Sequence, residues 1–189
     1  MEKLRYKYKK ESSVELSQLM LPTHANYNGK VHGGFILSMM DQIAFACASK
    51  HSEHYCVTAS VNTVDFLKPV EVGELLTLKA SLNYVGNSSM VVGIRVVSES
   101  IIHGDKDFKH CNSSYFTMVA LDDNNEKVNV PGLILETETD IRRFTKSIVR
   151  QNMQKQRHEE FSEEDFISSK YLELIESHKV RIQINSRVC

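Results

Sequence analysis

The segment from Ala25 to Asp41 holds the residues whose types and spacing could do chemistry. Gly33 and Gly34 are adjacent at the predicted start of a helix, where the missing β-carbons let a ligand approach the backbone. Unpaired N–H groups and the helix dipole make this position favourable for negative charge. A carbonyl oxygen becomes negative while its compound is hydrolysed, so these donors could form an oxyanion hole.

Asp41 is the second chemical feature, because it is an ionisable residue inside the most apolar segment of the chain. An unpaired charge there would be costly, so the carboxylate is either paired with a buried donor for structural reasons or catalytic. Asp41 lies seven residues beyond Gly34, which puts the two on one helix face but ~10 Å apart along the axis. An antiparallel copy of the helix in a two-fold dimer would bring Asp41 to the partner's glycines and create two equivalent sites.

The helix that positions these residues is predicted from Gly34 to about Lys50, and it is apolar almost all the way round, as buried helices are. A first strand is predicted between Val14 and Pro22. Four further strands, rich in β-branched or aromatic residues and separated by turn residues, are predicted at 55–67, 75–85, 90–97 and 115–121. A buried helix followed by long antiparallel strands favours a curved sheet wrapped around the helix, an α+β architecture.

The C-terminal part of the chain predicts helices beyond this unit, which ends at about residue 133. Thr139 and Asp140 mark the start of one helix, and Ser162, followed by acidic residues, marks a second. Alternation at 180–184 predicts a short final strand. The apolar residues of the two helices are Ile141, Phe144 and Ile148 in the first and Phe166, Ile167, Leu174 and Ile175 in the second. We therefore predict a domain with its terminal helix over residues 1–157 and a C-terminal extension of unknown role over 158–189.

Composition limits the class of protein. The chain has 189 residues, is 41% hydrophobic and 25% charged, and carries a net charge of −1, so it has no field to attract nucleic acid. The stretch from Val31 to Ala48 is interrupted by polar residues and falls short of a membrane span. Unpatterned cysteines and a charged start without a signal peptide predict a reducing cytoplasm. The histidines lack metal-binding spacing, so we expect no metal and no cofactor.

The string Ala-Asn-x-x-Gly-x-Val-His-Gly-Gly over 25–34, followed by Ile-Leu-x-x-Met-Asp over 36–41, resembles the signature of hotdog-fold acyl-CoA thioester hydrolases. This family includes cytosolic long-chain acyl-CoA hydrolases of animals and single-domain bacterial relatives. The segments at 58–61, 65–66 and 72–73 are similar to that family as well, and the resemblance spans about residues 12–157. It implies a single hotdog domain, in which an antiparallel curved sheet wraps around the long buried helix.

The resemblance also implies an activity and an assembly. The enzyme would hydrolyse acyl-CoA to free fatty acid and CoA, with Asn26 and Asp41 supplied by opposite subunits. Asn26 would orient the thioester or the attacking water, and Asp41 would be the general base or the nucleophile. The backbone N–H groups of Gly33 and Gly34 would hold the oxyanion. Its partners would be the acyl-CoA substrate and further copies of the chain, as a homodimer and as a trimer of dimers.

Four further polar residues are candidates for substrate binding. His32 could be a base, but a structural role in which its ring nitrogens brace the loop is favoured. Asn62 lies where relatives have a polar residue on the strand facing the helix, although a strand residue facing solvent is the favoured interpretation. Ser88 and Ser89 could approach the pantetheine arm, while a serine-rich hairpin end needs no such role. Candidates for a basic rim that binds the CoA phosphates are Lys30, Lys68, Arg95 and Lys109.

Two other functions stay open at this point. A hotdog dehydratase would use a histidine base with a carboxylate from the opposite helix, and His32 with Asp41 could imitate that pair. Asn26 at the thioesterase position weighs against it. A non-catalytic acyl-CoA-binding protein would lack a catalytic group, and none is missing. The fold does not decide between these functions, because function depends on the site.

Overall fold

The predicted alternation of polar and apolar residues appears as long strands in the computed structural model, which describes residues 5–102, 108–160 and 179. A short 3₁₀ turn, Pro22–His24, precedes the long helix. In chain order the elements are β1 (Tyr6–Tyr8), α1 (Lys9–Ser12), β2 (Val14–Leu19), α2 (Gly33–Ser52), β3 (Tyr55–Val61), β4 (Glu74–Val85), β5 (Ser89–Ser100), β6 (Lys109–Leu121), β7 (Gly132–Ile134) and α3 (Glu138–Glu160).

The main sheet has five antiparallel strands in the order β2-β4-β5-β6-β3. Along β4, Leu76, Leu78 and Leu82 are buried at every second position and belong to one core with the apolar side of α2. The sheet therefore covers one side of α2, which confirms the predicted α+β class. Strand β3 lies at an edge and pairs with β6 alone among the described strands.

Helix α2 is buried along one side only in the single chain. The prediction that it is enclosed almost all round is therefore wrong for one protomer, because the sheet wraps around only the other side. The exposed positions recur at helical spacing and form a continuous stripe, which we call the α2 stripe. Its residues are Gly34, Leu37, Ser38, Asp41, Gln42 and Phe45.

The N-terminal segment closes the C-terminal end of α2. Strand β1 pairs in parallel with β7. Lys7 of β1 is only 6% exposed, and its ammonium group donates to the carbonyl oxygens of Lys50 at 3.2 Å and His51 at 2.8 Å. It also pairs with Glu53 at 2.8 Å. The last carbonyl oxygens of a helix accept no hydrogen bond from within the helix. Here two of them accept hydrogen bonds from Lys7 instead.

Helix α3 begins close to its predicted start. Thr137 and Asp140 exchange hydrogen bonds there, and the ring of Phe144 lies 5.0 Å from that of Tyr84. Ile141, predicted on the same apolar face, is exposed. The compact unit that contains the sheet ends at Ser147. The second helix and the final strand predicted after 160 lie outside the described residues, so the division at 157 stays a prediction. None of the described helices combines the length and apolar character that crossing a membrane requires.

Candidate active site

The loop before α2 holds the side chain of Asn26 in a defined orientation. Its Oδ1 accepts hydrogen bonds from the N–H groups of Asn28 at 2.9 Å and Lys30 at 3.2 Å. Its own N–H donates to the carbonyl oxygen of Lys30 at 2.6 Å, and Gly29 adopts φ 74° to close the turn. Because the amide oxygen is used inside the loop, the Nδ2 group of Asn26 is the part of the side chain left to donate to a ligand.

The start of α2 is capped by His32. The ring Nδ1 accepts a hydrogen bond from the N–H of Gly34 at 2.9 Å, as N-cap side chains do. A β-carbon on Gly34 would stand 2.9 Å from that ring, so glycine makes the cap possible. The favoured interpretation of His32, a residue that braces the loop, matches this geometry. Since Nδ1 accepts here, a neutral His32 carries its proton on Nε2 and neither nitrogen is left free to act as a base.

The predicted pair of oxyanion donors is reduced to one by this cap. The N–H of Gly34 is occupied by the His32 ring, and the N–H groups of Phe35 and Ile36 donate to the His32 carbonyl oxygen. The N–H of Gly33 has no acceptor among the residues that the structure describes. Gly33 is therefore the backbone donor that a substrate oxygen could reach at the positive end of the helix.

Asp41 lies on the α2 stripe two turns further along. Its Oδ1 accepts a hydrogen bond of 2.6 Å from the hydroxyl of Thr58 on β3. The expected buried charge is absent, because Asp41 is exposed to a cavity of about 350 Å³. The cavity is lined by Asp41, Gln42, Phe45, Tyr55, Cys56, Val57, Thr58 and Met118. Thr58 fixes one carboxylate oxygen, and no hydrogen bond from a described residue occupies the other.

The two halves of the candidate site are separate within one chain. Neither Asn26 nor Gly33 lines the cavity at Asp41. Gly33 begins α2, ~12 Å from Asp41 by the rise of the helix. Asn26 lies in the loop that precedes this end of the helix. The single chain thus holds a carboxylate and a pair of free donors at a distance too great for one thioester carbonyl.

The remaining predicted residues lie elsewhere. Asn62 follows β3, where its N–H donates to the carbonyl oxygen of Tyr115 at 3.0 Å. Ser88 and Ser89 form the β4–β5 hairpin, where Gly86 donates to the carbonyl oxygen of Ser89 at 2.8 Å. None of these residues lines the cavity at Asp41. In one chain, the structure does not bring them to the carboxylate.

Two of the basic candidates for phosphate binding form ion pairs. Lys30 bonds to Glu71, and Lys109 bonds to the nearly buried Glu74. Burial raises the pKa of Glu74, but hydrogen bonds, first from Lys109, outweigh it and leave the pKa lowered. Lys30 and Lys109 therefore stabilise the turn before β4. Beside this turn, the carbonyl oxygen of Val70 accepts a hydrogen bond from the N–H of Val31 at 2.9 Å.

Comparison with known proteins gives the family. Residues 28–102 match the family model described as the thioesterase superfamily. Protein VdlD of Helicobacter pylori is 43% identical over 138 residues, which are 73% of this chain and 78% of that protein. YkhA of Bacillus subtilis, named an uncharacterized acyl-CoA thioester hydrolase, is 34% identical over 157 residues, 83% of this chain and 90% of that protein. The chain belongs to the thioesterase superfamily, as the sequence motif predicted.

A solved structure supports the same conclusion for the fold. The acyl-CoA hydrolase of Staphylococcus aureus in complex with butyryl coenzyme A, coenzyme A and coenzyme A disulfide has a TM-score of 0.75 at 29% identity, covering 90% of this chain and 98% of that one. Structures of the same hydrolase with an Asn, an Asp or a Thr replaced by Ala are also known. Those three residues are separated by 15 and 17 positions, as Asn26, Asp41 and Thr58 are here. The hotdog fold predicted from the sequence is confirmed.

Proposed function

We propose that this protein is an acyl-CoA thioesterase, which hydrolyses acyl-CoA to a free acid and CoA. The observation that carries the proposal is the Asp41 carboxylate, held by Thr58 in an open cavity and separated along α2 from the free donors of Asn26 and Gly33. A carboxylate opposite two donors is the arrangement that hydrolysis of a carbonyl compound needs. The hydrolase names of YkhA and of the S. aureus enzyme support the substrate class.

The reaction follows from these groups. The carboxylate oxygen of Asp41 that Thr58 leaves free accepts a proton from water, and the water oxygen attacks the thioester carbon. The N–H of Gly33 and the Nδ2 group of Asn26 donate to the carbonyl oxygen as it becomes negative. The C–S bond then breaks, and the thiolate of CoA recovers the proton from Asp41. Direct attack by Asp41, followed by hydrolysis of the anhydride, uses the same residues.

A second copy of the chain completes the site in this proposal. The α2 stripe and the neighbouring edge strand leave large apolar side chains in solvent, with Leu37 37%, Phe45 40% and Tyr55 60% exposed. Covering such a surface with an antiparallel copy buries it and pairs the free edge of β3. The same contact brings Asp41 of one chain to Asn26 and Gly33 of the other. The apo acyl-CoA thioesterase described as hexameric, with a TM-score of 0.78 at 31% identity, supports a trimer of such dimers.

The cysteines support a reducing location for this enzyme. Cys47, Cys56 and Cys111 are buried and unpaired, as in proteins of the cytoplasm. We therefore retain the cytoplasm as the proposed compartment.

The test is release of free thiol from a panel of acyl-CoA esters by the purified protein, without added metal or cofactor. Asp41→Asn and Asn26→Ala should each lower turnover by roughly 10²-fold or more with the melting temperature retained. Asp123→Asn, an exposed aspartate in the turn after β6, is the matched control and should keep full activity. Label from ¹⁸O-water in the Asp41 carboxylate would establish the direct route with hydrolysis at the aspartyl carbon, because a general base keeps its own oxygens.

Two outcomes would contradict the proposal. Full activity in Asp41→Asn would remove this carboxylate from the chemistry. Hydration of crotonyl-CoA without thiol release would make the protein a hydratase, the alternative that the capped ring of His32 disfavours.

A further inference from the structure

Hydrogen bonds on both sides of Phe66 fix the segment after β3 onto β6. The Nδ2 group of Asn112 donates to the carbonyl oxygen of Asp65 at 2.9 Å, and the N–H of Leu67 donates to that of Cys111 at 2.9 Å. Asn112 is completely buried, and its Oδ1 has no hydrogen-bond partner in the part of the chain that the structure describes. A buried oxygen without a partner costs stability. The amide therefore fixes the backbone beside Phe66 at a cost.

The ring of Phe66 packs on the first residue of α2. A β-carbon at Gly33 would stand 3.2 Å from Cζ of this ring and 3.4 Å from Cε2, so the ring edge lies directly against the glycine. The ring is therefore within about 6 Å of the Gly33 nitrogen. The N–H of Gly33 is the helix donor to which the described residues give no acceptor. Phe66 is nevertheless 50% exposed, so an apolar surface stays open beside this donor.

The free donor would hold a bound thioester against this ring. A carbonyl oxygen that accepts the N–H of Gly33 lies about 3 Å from the nitrogen, so the atoms on the carbonyl carbon come within contact distance of Phe66. On one side of that carbon stands the sulfur, and the arm of CoA carries a polar amide close to it. On the other side the acyl group is hydrocarbon. An aromatic ring packs well on hydrocarbon, whereas it gives an amide no ordinary hydrogen bond.

We propose that Phe66 is a specificity-determining residue, which contacts the acyl group next to the thioester carbonyl and selects straight chains over chains branched at that point. The inference rests on the proposed hydrolysis and names the acyl groups that the same site accepts. Because its backbone is fixed on both sides and its edge packs on Gly33, the ring has little room to move aside. A straight chain lies along the ring, whereas a methyl branch on the first carbon needs the space that the ring occupies. In an apolar site one such carbon changes kcat/KM by about 10- to 200-fold.

The test compares thiol release from butyryl-CoA and isobutyryl-CoA, which have the same number of carbon atoms and differ in the branch next to the carbonyl. The wild type should prefer butyryl-CoA in kcat/KM by about tenfold or more, and Phe66→Ala should lower that preference by about tenfold. Phe66→Leu, which keeps an apolar group on Gly33, should lower it less. Tyr8→Ala is the matched control and should keep the wild-type preference, because Tyr8 is an aromatic residue, 41% exposed, in the strand that docks at the opposite end of α2.

The outcomes separate this inference from the proposed function. A ratio of two substrates on one variant does not depend on how much of the protein is folded, and Phe66→Leu decides the question if Phe66→Ala does not fold. The inference is overturned if the wild type hydrolyses both esters equally well, or if the Phe66 variants keep its preference. It is also overturned if Phe66→Ala slows both esters by the same factor, as the loss of a subunit contact or of helix packing would. Absence of thiol release by the wild type from every acyl-CoA ester would instead remove the proposed function, and with it the basis of this inference.

Discussion

Mixing two inactive variants, Asn26→Ala and Asp41→Asn, tests whether each site is built from two chains. Gly34 and Asp41 are ~10 Å apart along α2, whereas a base and an oxyanion donor must each lie within about 3 Å of the groups they serve. The cavity at Asp41 is lined by α2, β3 and β6 and not by Asn26. One chain does not satisfy both distances, and the proposed antiparallel dimer is the arrangement that would.

The expected magnitude follows from the two-fold symmetry. After reversible dissociation and random reassembly, about half of the dimers contain one chain of each variant. Such a dimer has one site with both native residues and one site with neither. About a quarter of all sites are then intact, so thiol release should recover to roughly a quarter of the wild-type rate.

The controls make this result decisive. Each variant is dissociated and reassembled alone, which should give no recovery. Subunit exchange is verified by mass spectrometry with one variant isotopically labelled. If the labelled and unlabelled chains exchange but activity does not return, Asn26 and Asp41 act in the same chain and the two-chain site is refuted.

Three further predictions follow from individual contacts. Thr58→Val should lower kcat by about tenfold or more while Thr58→Ser keeps it, because only the hydroxyl holds Asp41; equal rates for both would exclude that role. Hydrogen bonds from Lys7, and then Arg5, lower the pKa of Glu53 from 4.5 to about 2. The stability this contributes is present above pH 4.5 and is lost as the pH falls towards 2, so thermal melts over that range should show a smaller loss for Glu53→Gln than for the wild type. Burial raises the pKa of the Cys47 thiol to about 12, so peptide mapping after iodoacetamide at pH 8 should find Cys47 unmodified until the protein unfolds; rapid labelling in the native protein would contradict its burial.

The helix and its loop were predictable because their signals are local. Adjacent glycines, a long apolar run and an acid inside it are all visible between Gly33 and Asp41. The prediction that was wrong is that α2 is buried on nearly every side within one chain. An apolar side chain such as Phe45 is equally consistent with packing inside its own chain and with packing against a second copy. The hydrophobic pattern alone does not distinguish packing within the chain from packing against a second copy. The structure does, because the sheet leaves the α2 stripe exposed.

Residues 109–114 extend β6 beyond the strand that the sequence predicts. This segment is polar, and the strand was predicted only from Tyr115. Its side chains bond to the backbone after β3: Asn112 donates to the carbonyl oxygen of Asp65 at 2.9 Å, and Ser114 donates to that of Thr63 at 3.3 Å. These contacts join positions about 50 residues apart and explain why β3 ends at Val61 although its pattern continues.

Thr58 was missed as a site residue for a similar reason. The segment 58–61 resembles a strand of the family, and threonine is common in strands without any functional role. Its contact with Asp41 requires β3 to lie beside the middle of α2, which depends on the tertiary structure and not on the local sequence. A rule that asks which strand residue faces each acid on a buried helix would have selected it.

The pairing of β1 with β7 has a consequence for the order in which the molecule assembles. Tyr6 and Gly132 are partners although 126 positions separate them. During synthesis, α2 and the five-stranded sheet can therefore form before β1 pairs with β7. Closing so long a loop costs entropy that only the completed core can offset. Pairing of β1 with β7 is thus expected to be a late step, added to a core that has already formed.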